Sequence, residues 1–335
     1  MSVGLDADEA TSAWVIDQSK YFFNMHAVEP TGFTGWKVVA GGQLRLRVPD
    51  FTKHDTRLDT GERVRYGFSP TTKTLVVEHP PGPWRRLYAL RAIRHLMRWQ
   101  LQSHGALFLH GAGLAVGSEA IALLGRPGSG KSVLSVKLAH RGWSILSQDD
   151  LCLLPEGDGW SVMRWPGSVR LRRTAAAIVP DVFASKDLRH PGNALEAGLD
   201  MESARLRVFL SEIRLLTSSP PPVPGKLKVL VFLDPRLDPG NRQPVLSVEA
   251  WKLLIEAWDM LPERRAGARV RLTQPESWLS VVFNPFLLQA FGHPDVSSLS
   301  ANLKRVATMV PAWRVGRGAL LDLDTSAERV DIGRG

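Results

Sequence analysis

The chain holds a single cysteine, Cys152, in 335 residues. One thiol closes no internal disulfide and supplies no multi-cysteine zinc site, which fits a reducing compartment and leaves Cys152 to serve as a small buried hydrophobe. No apolar run reaches the roughly 18 residues that a membrane helix needs. The N-terminus, with Asp6, Asp8 and Glu9, lacks the basic-then-apolar order of a secretory signal. These absences predict a soluble, cytoplasmic protein without a membrane partner. There is no internal repeat and no low-complexity tract. Hydrophobic residues at 44% and charged residues at 22% exclude a wholly disordered or fibrous chain. At roughly 150 residues per domain, the length suits two domains, or one large domain with appendages.

What the chain has in excess is positive charge. Lys and Arg number 42 against 33 Asp and Glu, a net charge of +9, which suits anionic partners such as nucleotides, acidic proteins or nucleic acid. Arginines are spread along the chain, and no motif that reads bases accompanies them, so direct nucleic-acid binding is the weakest of these readings.

Residues 1–83 are punctuated by Gly and Pro and carry strand signals: the alternating Gln43-Leu44-Arg45-Leu46-Arg47-Val48 and the apolar Leu75-Val76-Val77. This predicts a small β-rich region. After Pro80-Pro81-Gly82-Pro83 the period changes. Leu87, Leu90, Ile93, Leu96, Met97 and Leu101 recur at helical spacing, while Arg86, Arg91, Arg94 and Arg98 take other faces. Residues 84–103 therefore read as a linker helix with a solvated basic face, or alternatively as a basic groove for an acidic peptide.

Beyond residue 104 three short apolar segments follow closely, at 106–109, 114–116 and 120–124. The last enters a glycine-rich turn and then a helix over about 131–141, which Gly142 can close in a left-handed cap. A strand at 144–147 completes a βαβ unit, whose two strands run parallel, or nearly so, in one sheet. Residues 174–225 predict a helix over about 201–216 within a stretch that reads as a helical insertion, or as a lid or substrate platform. A strand at 229–233, a helix over 248–260, further helical sequence and strand-like segments at 313–315 and 319–321 close the chain.

The residues that carry chemistry begin with Gly125-Arg126-Pro127-Gly128-Ser129-Gly130-Lys131-Ser132, which fits the phosphate-loop pattern G-x-x-x-x-G-K-[ST] at every fixed position. Placed between strand and helix, such a loop brings successive backbone N–H groups and a helix N-terminus onto one anion. Lys131 can then reach the β- and γ-phosphates of a nucleotide, and the Ser132 hydroxyl can ligate Mg²⁺. The second signal is Asp149-Asp150, at the end of the strand after the loop helix. In parallel geometry both strands end on the same edge of the sheet, so these acids land beside the phosphates. One carboxylate can hold Mg²⁺ while the other accepts a proton from an attacking hydroxyl. His110, at the end of the first of the three short strands, reads either as a packed residue or as a donor to a phosphate oxygen if its strand adjoins that of the loop.

Together, Leu109-His110-Gly111, residues 125–132, Arg141-Gly142-Trp143 and Ser147-Gln148-Asp149-Asp150 resemble the catalytic core of the HPr serine kinase/phosphorylase family, and within it the HPr-related kinase A subgroup. The resemblance is specific over 105–155 and looser to about 325, where Val229-Leu230-Val231-Phe232-Leu233-Asp234 and Val310-Pro311-Ala312-Trp313-Arg314 look like later strands of the shorter members. It implies an α/β P-loop kinase core with a mixed sheet over 104–325, as in HPr kinase and PEP carboxykinase. It also implies Asp149 as base, His110 and Lys131 beside the transferring group, and Ser132 with Asp150 at the metal. Two departures stand out: Val133 follows the loop where the bifunctional enzymes carry Glu, and Trp165-Pro166-Gly167-Ser168-Val169-Arg170 stands near where they carry Glu-Ile-Arg-Gly. The expected activity is accordingly kinase rather than phosphorylase chemistry. It is ATP- and Mg²⁺-dependent phosphoryl transfer to a Ser or Thr hydroxyl of a protein or peptide, with Arg170 and Arg172 either near the phosphates or ordinary surface charge. The resemblance implies a small peptide-chaperone-like protein as partner and a homo-oligomer, as in hexameric HPr kinases. A small-molecule kinase and a nucleotide-dependent switch or assembly protein without turnover are the alternatives.

Overall fold

The computed structural model describes residues 2–24, 33–41, 52–57, 63–185, 188–191, 193, 205–238, 240–261 and 296–316. The expected strands at 43–48 and 319–321, and the helical sequence directly after 261, lie outside them. The described chain divides into two units, residues 2–20 with 24–104, and residues 21–23 with 105–261 and 296–316.

In the first unit, strand β1 (Val3–Ala7) leads into helix α1 (Glu9–Ser19), and β2 (Trp36–Gly41), β3 (Thr52–Arg57), β4 (Arg63–Ser69) and β5 (Thr74–Glu78) precede helix α2 (Pro83–Gln102). The five strands form one sheet in the order β1-β2-β5-β4-β3, parallel from β1 to β5 and antiparallel from there to β3. Asp8 starts α1: its carboxylate accepts from the Thr11 amide at 2.9 Å and from Arg85 of α2 at 2.8 Å, satisfying a helix-end donor and tying the two helices together. Leu75, Val76 and Val77 are buried as their run predicts, and α2 packs against β2 and β5.

The second unit begins with β6 (Leu107–Leu109), β7 (Gly111–Val116) and β8 (Glu119–Leu124). These lead through the glycine loop into α3 (Lys131–His140) and β9 (Ser144–Gln148). Gly142, at φ 85°, closes α3 in the left-handed conformation that its sequence position predicts. There follow β10 (Leu151–Glu156), β11 (Gly159–Met163), β12 (Ser168–Arg172), α4 (Pro180–Ala184), β13 (Arg205–Phe209), α5 (Leu210–Thr217), β14 (Gly225–Leu233), β15 (Arg242–Pro244), α6 (Ser247–Asp259), α7 (Val296–Met309) and β16 (Ala312–Val315). The main sheet is mixed, in the order β6-β10-β11-β14-β8-β7-β9, with β16 on β14 and β15 on β16.

Strands β8 and β9 run parallel, as the βαβ reading expects, but β7 lies between them and is antiparallel to both. Strand β14 flanks the other side of β8 in parallel. Such central strands are covered on both faces, so they read as unbroken apolar runs. Val229, Val231 and Leu233 of β14 join a core with α3, while Leu227, Leu230 and Phe232 join the core under α6 and α7. Cys152 is fully buried in β10.

The helix expected over 201–216 is corrected at its start. Residues 205–209 form β13, which pairs with β12, and a helix begins only at Leu210. The physical reason is period: Arg205-Leu206-Arg207-Val208 alternates every second residue, and the apolar face it makes is the one the core takes. Glu212 then fixes the helix start by accepting from the Phe209 amide at 2.9 Å.

The sheet curls, so that β11 packs across β7. Gly113 permits this, since a Cβ there would lie 2.5 Å from Val162 Cγ1 and 3.0 Å from Ser147 Oγ. Gly113→Ala should therefore lower stability by about 1–3 kcal/mol, the usual cost of overpacking. Pairing it with Val162→Ala should lose less than the sum of the two single changes. Urea titration of the four proteins checks both expectations.

Candidate functional site

The glycine loop owes its shape to two different constraints. Gly125, directly after β8, answers to both space and backbone: its φ is 143°, and a Cβ there would lie 2.9 Å from the Leu233 carbonyl oxygen and 2.9 Å from Ser129 Oγ. Gly128 and Gly130 are a matter of backbone conformation. They sit at φ 84° and 101°, and a Cβ on either would meet nothing within 4 Å, so their outer side is open. The Ser129 amide closes the turn onto Arg126 O at 3.1 Å. Helix α3 starts at Lys131 with Gly130 as its cap residue, and no side chain caps its first amides. The first turn of a helix leaves such N–H groups without intrahelical partners, and they favour an anion. Ser129 Oγ is buried with no hydrogen-bond partner among the described residues. These features fit a nucleotide's phosphates.

Lys131 lies folded into this loop, only 5% exposed, and its ammonium donates to Gly125 O at 2.6 Å and Arg126 O at 3.2 Å. Burial pushes it down to about 8, while the charge of Asp149 pulls the other way. Lys131 and Asp149 thus share one electrostatic environment, although 17 residues of helix, turn and strand stand between them. The Asp149 backbone is left-handed at φ 64°, a conformation that Asp tolerates better than most residues. That kink turns the chain sharply between β9 and β10.

Strand register brings the remaining groups to the same edge. Gly111 of β7 faces Leu124 of β8, so the next position sets His110 beside Gly125. Leu109 of β6 faces Leu151 of β10, which sets His110 beside Asp150 on its other flank. The condition placed on His110 is therefore corrected: its own strand β6 does not adjoin β8, and it is β7, starting one residue later, that carries it to the loop. The His110 amide is anchored by Ala257 O at 2.9 Å. Arg126 and Pro127 stand exposed at the loop's crest, with Arg126 3.8 Å from Glu256.

Two residues at this edge escaped the sequence reading. Gln148, 2% exposed, donates from Nε2 to Ser132 Oγ at 3.1 Å, and its own Oε1 is buried with no partner among the described residues. A polar amide at the end of a strand buried throughout was the available signal. Asp234 directly follows β14, next to Leu233, whose carbonyl abuts Gly125. Arg236 grips it with two side-chain bonds, at 2.9 and 2.7 Å, and a backbone N–H at 3.0 Å; Arg314 adds its charge. These hold the Asp234 carboxyl down to about 2. An apolar run ending in an acid beside the loop strand was its signal. Among the described residues no group of three or more His, Cys, Asp and Glu could hold a metal ion. Ser132 and Asp150 would hold Mg²⁺ together with phosphate oxygens, a donor set that suits an ion which keeps several non-protein ligands.

No family model matches this chain, and no curated protein is similar to it. Among solved structures it is similar to the HPr(Ser) kinase/phosphatase from Coxiella burnetii, at 16% identity and a TM-score of 0.26, over 42% of this chain and 77% of that one. That likeness is too slight to carry residue roles across. Among the described residues no helix is long and apolar enough to cross a membrane.

The depressed Lys131 has a measurable consequence. Between about 8, its value in the fold, and 10.5, its ordinary value, the unfolded chain binds more protons than the folded one. Stability attributable to Lys131 therefore rises with pH across that window. Lys131→Met should remove this rise and stabilise the protein at pH 7, as read from urea midpoints at pH values on either side of the window.

Proposed function

We propose that the protein is a kinase that transfers the γ-phosphoryl group of ATP, with Mg²⁺, to a Ser or Thr hydroxyl of a protein or peptide. The observation that carries this reading is the buried Lys131 ammonium, packed under a loop with open left-handed glycines and coupled to the charge of Asp149. A phosphate loop alone serves switches and kinases alike; a carboxylate within electrostatic reach of its lysine adds the base that phosphoryl transfer to an alcohol needs. The resemblance of the same residues to HPr kinases points the same way.

In this reading the amides around Gly128 and the start of α3 grip the phosphates, and Lys131 leaves the carbonyls of Gly125 and Arg126 to meet negative charge on the transferring group. His110, beside Gly125, donates to the same oxygens. Ser132 and Asp150 would hold the metal, and Gln148 fixes the rotation of the Ser132 hydroxyl through its 3.1 Å hydrogen bond. A bound magnesium nucleotide supplies the phosphoryl group. Asp149 takes the hydroxyl proton as the acceptor oxygen forms its bond to the γ-phosphorus and the bond from that phosphorus to the β,γ-bridging oxygen breaks, with ADP as the leaving group.

A hydrogen bond to a charged group is worth about 1.5–3 kcal/mol, so Lys131→Ala should weaken nucleotide binding by roughly tenfold to a hundredfold. Asp149→Asn should leave binding nearly intact and remove turnover. Calorimetry with Mg-ATP reads the first, and labelled ATP offered with a protein fraction and, separately, a metabolite fraction reads the second. Wild-type transfer by Asp149→Asn would contradict the base assignment. Label in metabolites alone would make the protein a small-molecule kinase, and nucleotide binding without any phosphorylated product would make it a switch.

A further inference from the structure

Between α5 and β14 the chain runs Ser219-Pro220-Pro221-Pro222-Val223-Pro224, in neither helix nor strand. Helix α5 has already ended at Ser218, whose left-handed φ of 54° stops it, so the four prolines that follow are not needed to break it. Proline fixes its own φ at about −65° and drives the residue before it into extended conformations. Every residue from 219 to 224 is a proline or directly precedes one, a composition that builds a polyproline II helix of about three residues per turn. Exposure follows that period. Ser219, Pro222 and Gly225 are buried, whereas Pro220, Val223 and Lys226, each one residue further on, are exposed. On the third edge Pro221 is exposed and Pro224 half-buried.

The segment is held from within. Ser144 Oγ of β9 donates to Pro220 O at 3.1 Å and lies 3.4 Å from Pro221 O. A Cβ on Gly225 would lie 2.9 Å from Ala120 Cβ, so the chain enters β14 tight against β8. What faces outward is apolar and cannot extend a sheet: prolines carry no N–H, and Val223 has the one backbone donor of residues 220–224. The Val223 side chain is 57% exposed. The strip ends on a cation, Lys226, whose neighbour across the strands, Glu119, is engaged by Lys228 at 2.9 Å.

We propose that residues 220–226 are a docking strip for a partner protein whose groove is lined by aromatic rings and ends in an acidic pocket. Grooves of that kind read a preformed polyproline II helix by seating the apolar ridges of successive turns between their rings. Here the ridges are Pro220-Pro221 and Val223-Pro224, and the order apolar-Pro-x-apolar-Pro-x-Lys brings Lys226 to the end of the groove. The two spacer positions, Pro222 and Gly225, are the buried ones, so the fold itself turns the ridges outward. The Lys226 charge calls for a carboxylate at that end, which fixes the direction in which the strip lies. Its prolines and the bond from Ser144 order the strip in advance, so docking costs little conformational freedom. The proposal goes beyond the kinase reading and does not depend on it.

The test titrates the full chain, without nucleotide, into an isotope-labelled SH3 domain that reads apolar-Pro-x-apolar-Pro-x-Lys ligands through an acidic pocket. The same domain with its pocket acids changed to amides runs beside it. The wild-type chain should shift the groove resonances of the first domain and bind the second about tenfold more weakly. Val223→Asp should weaken binding to both domains by about tenfold or more. Lys226→Glu should weaken binding to the acidic domain by about tenfold while changing the other little. Should either variant not fold, a photo-reactive group in the groove of the acidic domain should crosslink the wild-type chain within residues 220–226. Groove resonances unmoved by the wild-type chain, full binding by folded Val223→Asp, equal losses from both domains with Lys226→Glu, or crosslinks confined elsewhere would overturn the proposal.

Discussion

A single buried cation organises the site. Lys131 sits under the loop from which it departs, its ammonium satisfied by two carbonyls of that loop and disfavoured by burial. Everything that surrounds it serves to keep it there in a usable form. Gly125 lets the end of β14 approach so closely that no other residue fits. The parallel pairing of β8 with β14, and the insertion of β7 between β8 and β9, bring the ends of these strands to one edge of the sheet. Asp149, turned by its left-handed backbone, then supplies the opposite charge that keeps Lys131 from losing its proton more readily still.

The core of this arrangement was legible in the amino-acid sequence because it rests on local rules. A strand that ends in a glycine-rich turn, a helix capped by Gly142 and a strand that ends in two acids are each written in consecutive residues. What was not legible depends on pairings between distant segments. That His110 borders the end of β8 by way of β7 rather than β6 follows from the register of Gly111 against Leu124, which no local pattern encodes. Gln148 escaped because a glutamine beside two aspartates draws little attention until Ser132 is seen 3.1 Å away. The helix expected over 201–216 differs for another reason: Arg205-Leu206-Arg207-Val208 carries a period-two signal that runs directly into the helix beginning at Leu210.

Charge is distributed by the same logic. Where arginines serve the fold they meet acids, as Arg85 meets Asp8, and Arg236 with Arg314 meets Asp234. On β12 and β13 further arginines stand in register across the strands, Arg170 with Arg207 and Arg172 with Arg205. The net charge of +9 is therefore not a uniform coat, and part of it lies in an ordered array next to the end of β9.

The most direct test of the account is amide hydrogen exchange of the full chain with and without Mg²⁺ and a non-hydrolysable ATP analogue. Main-chain capture of the phosphates predicts slowed exchange concentrated in residues 126–133, with the Asp149 turn slowed alongside. Saturating nucleotide that leaves the exchange of those residues unchanged, or slows it only elsewhere, would contradict it.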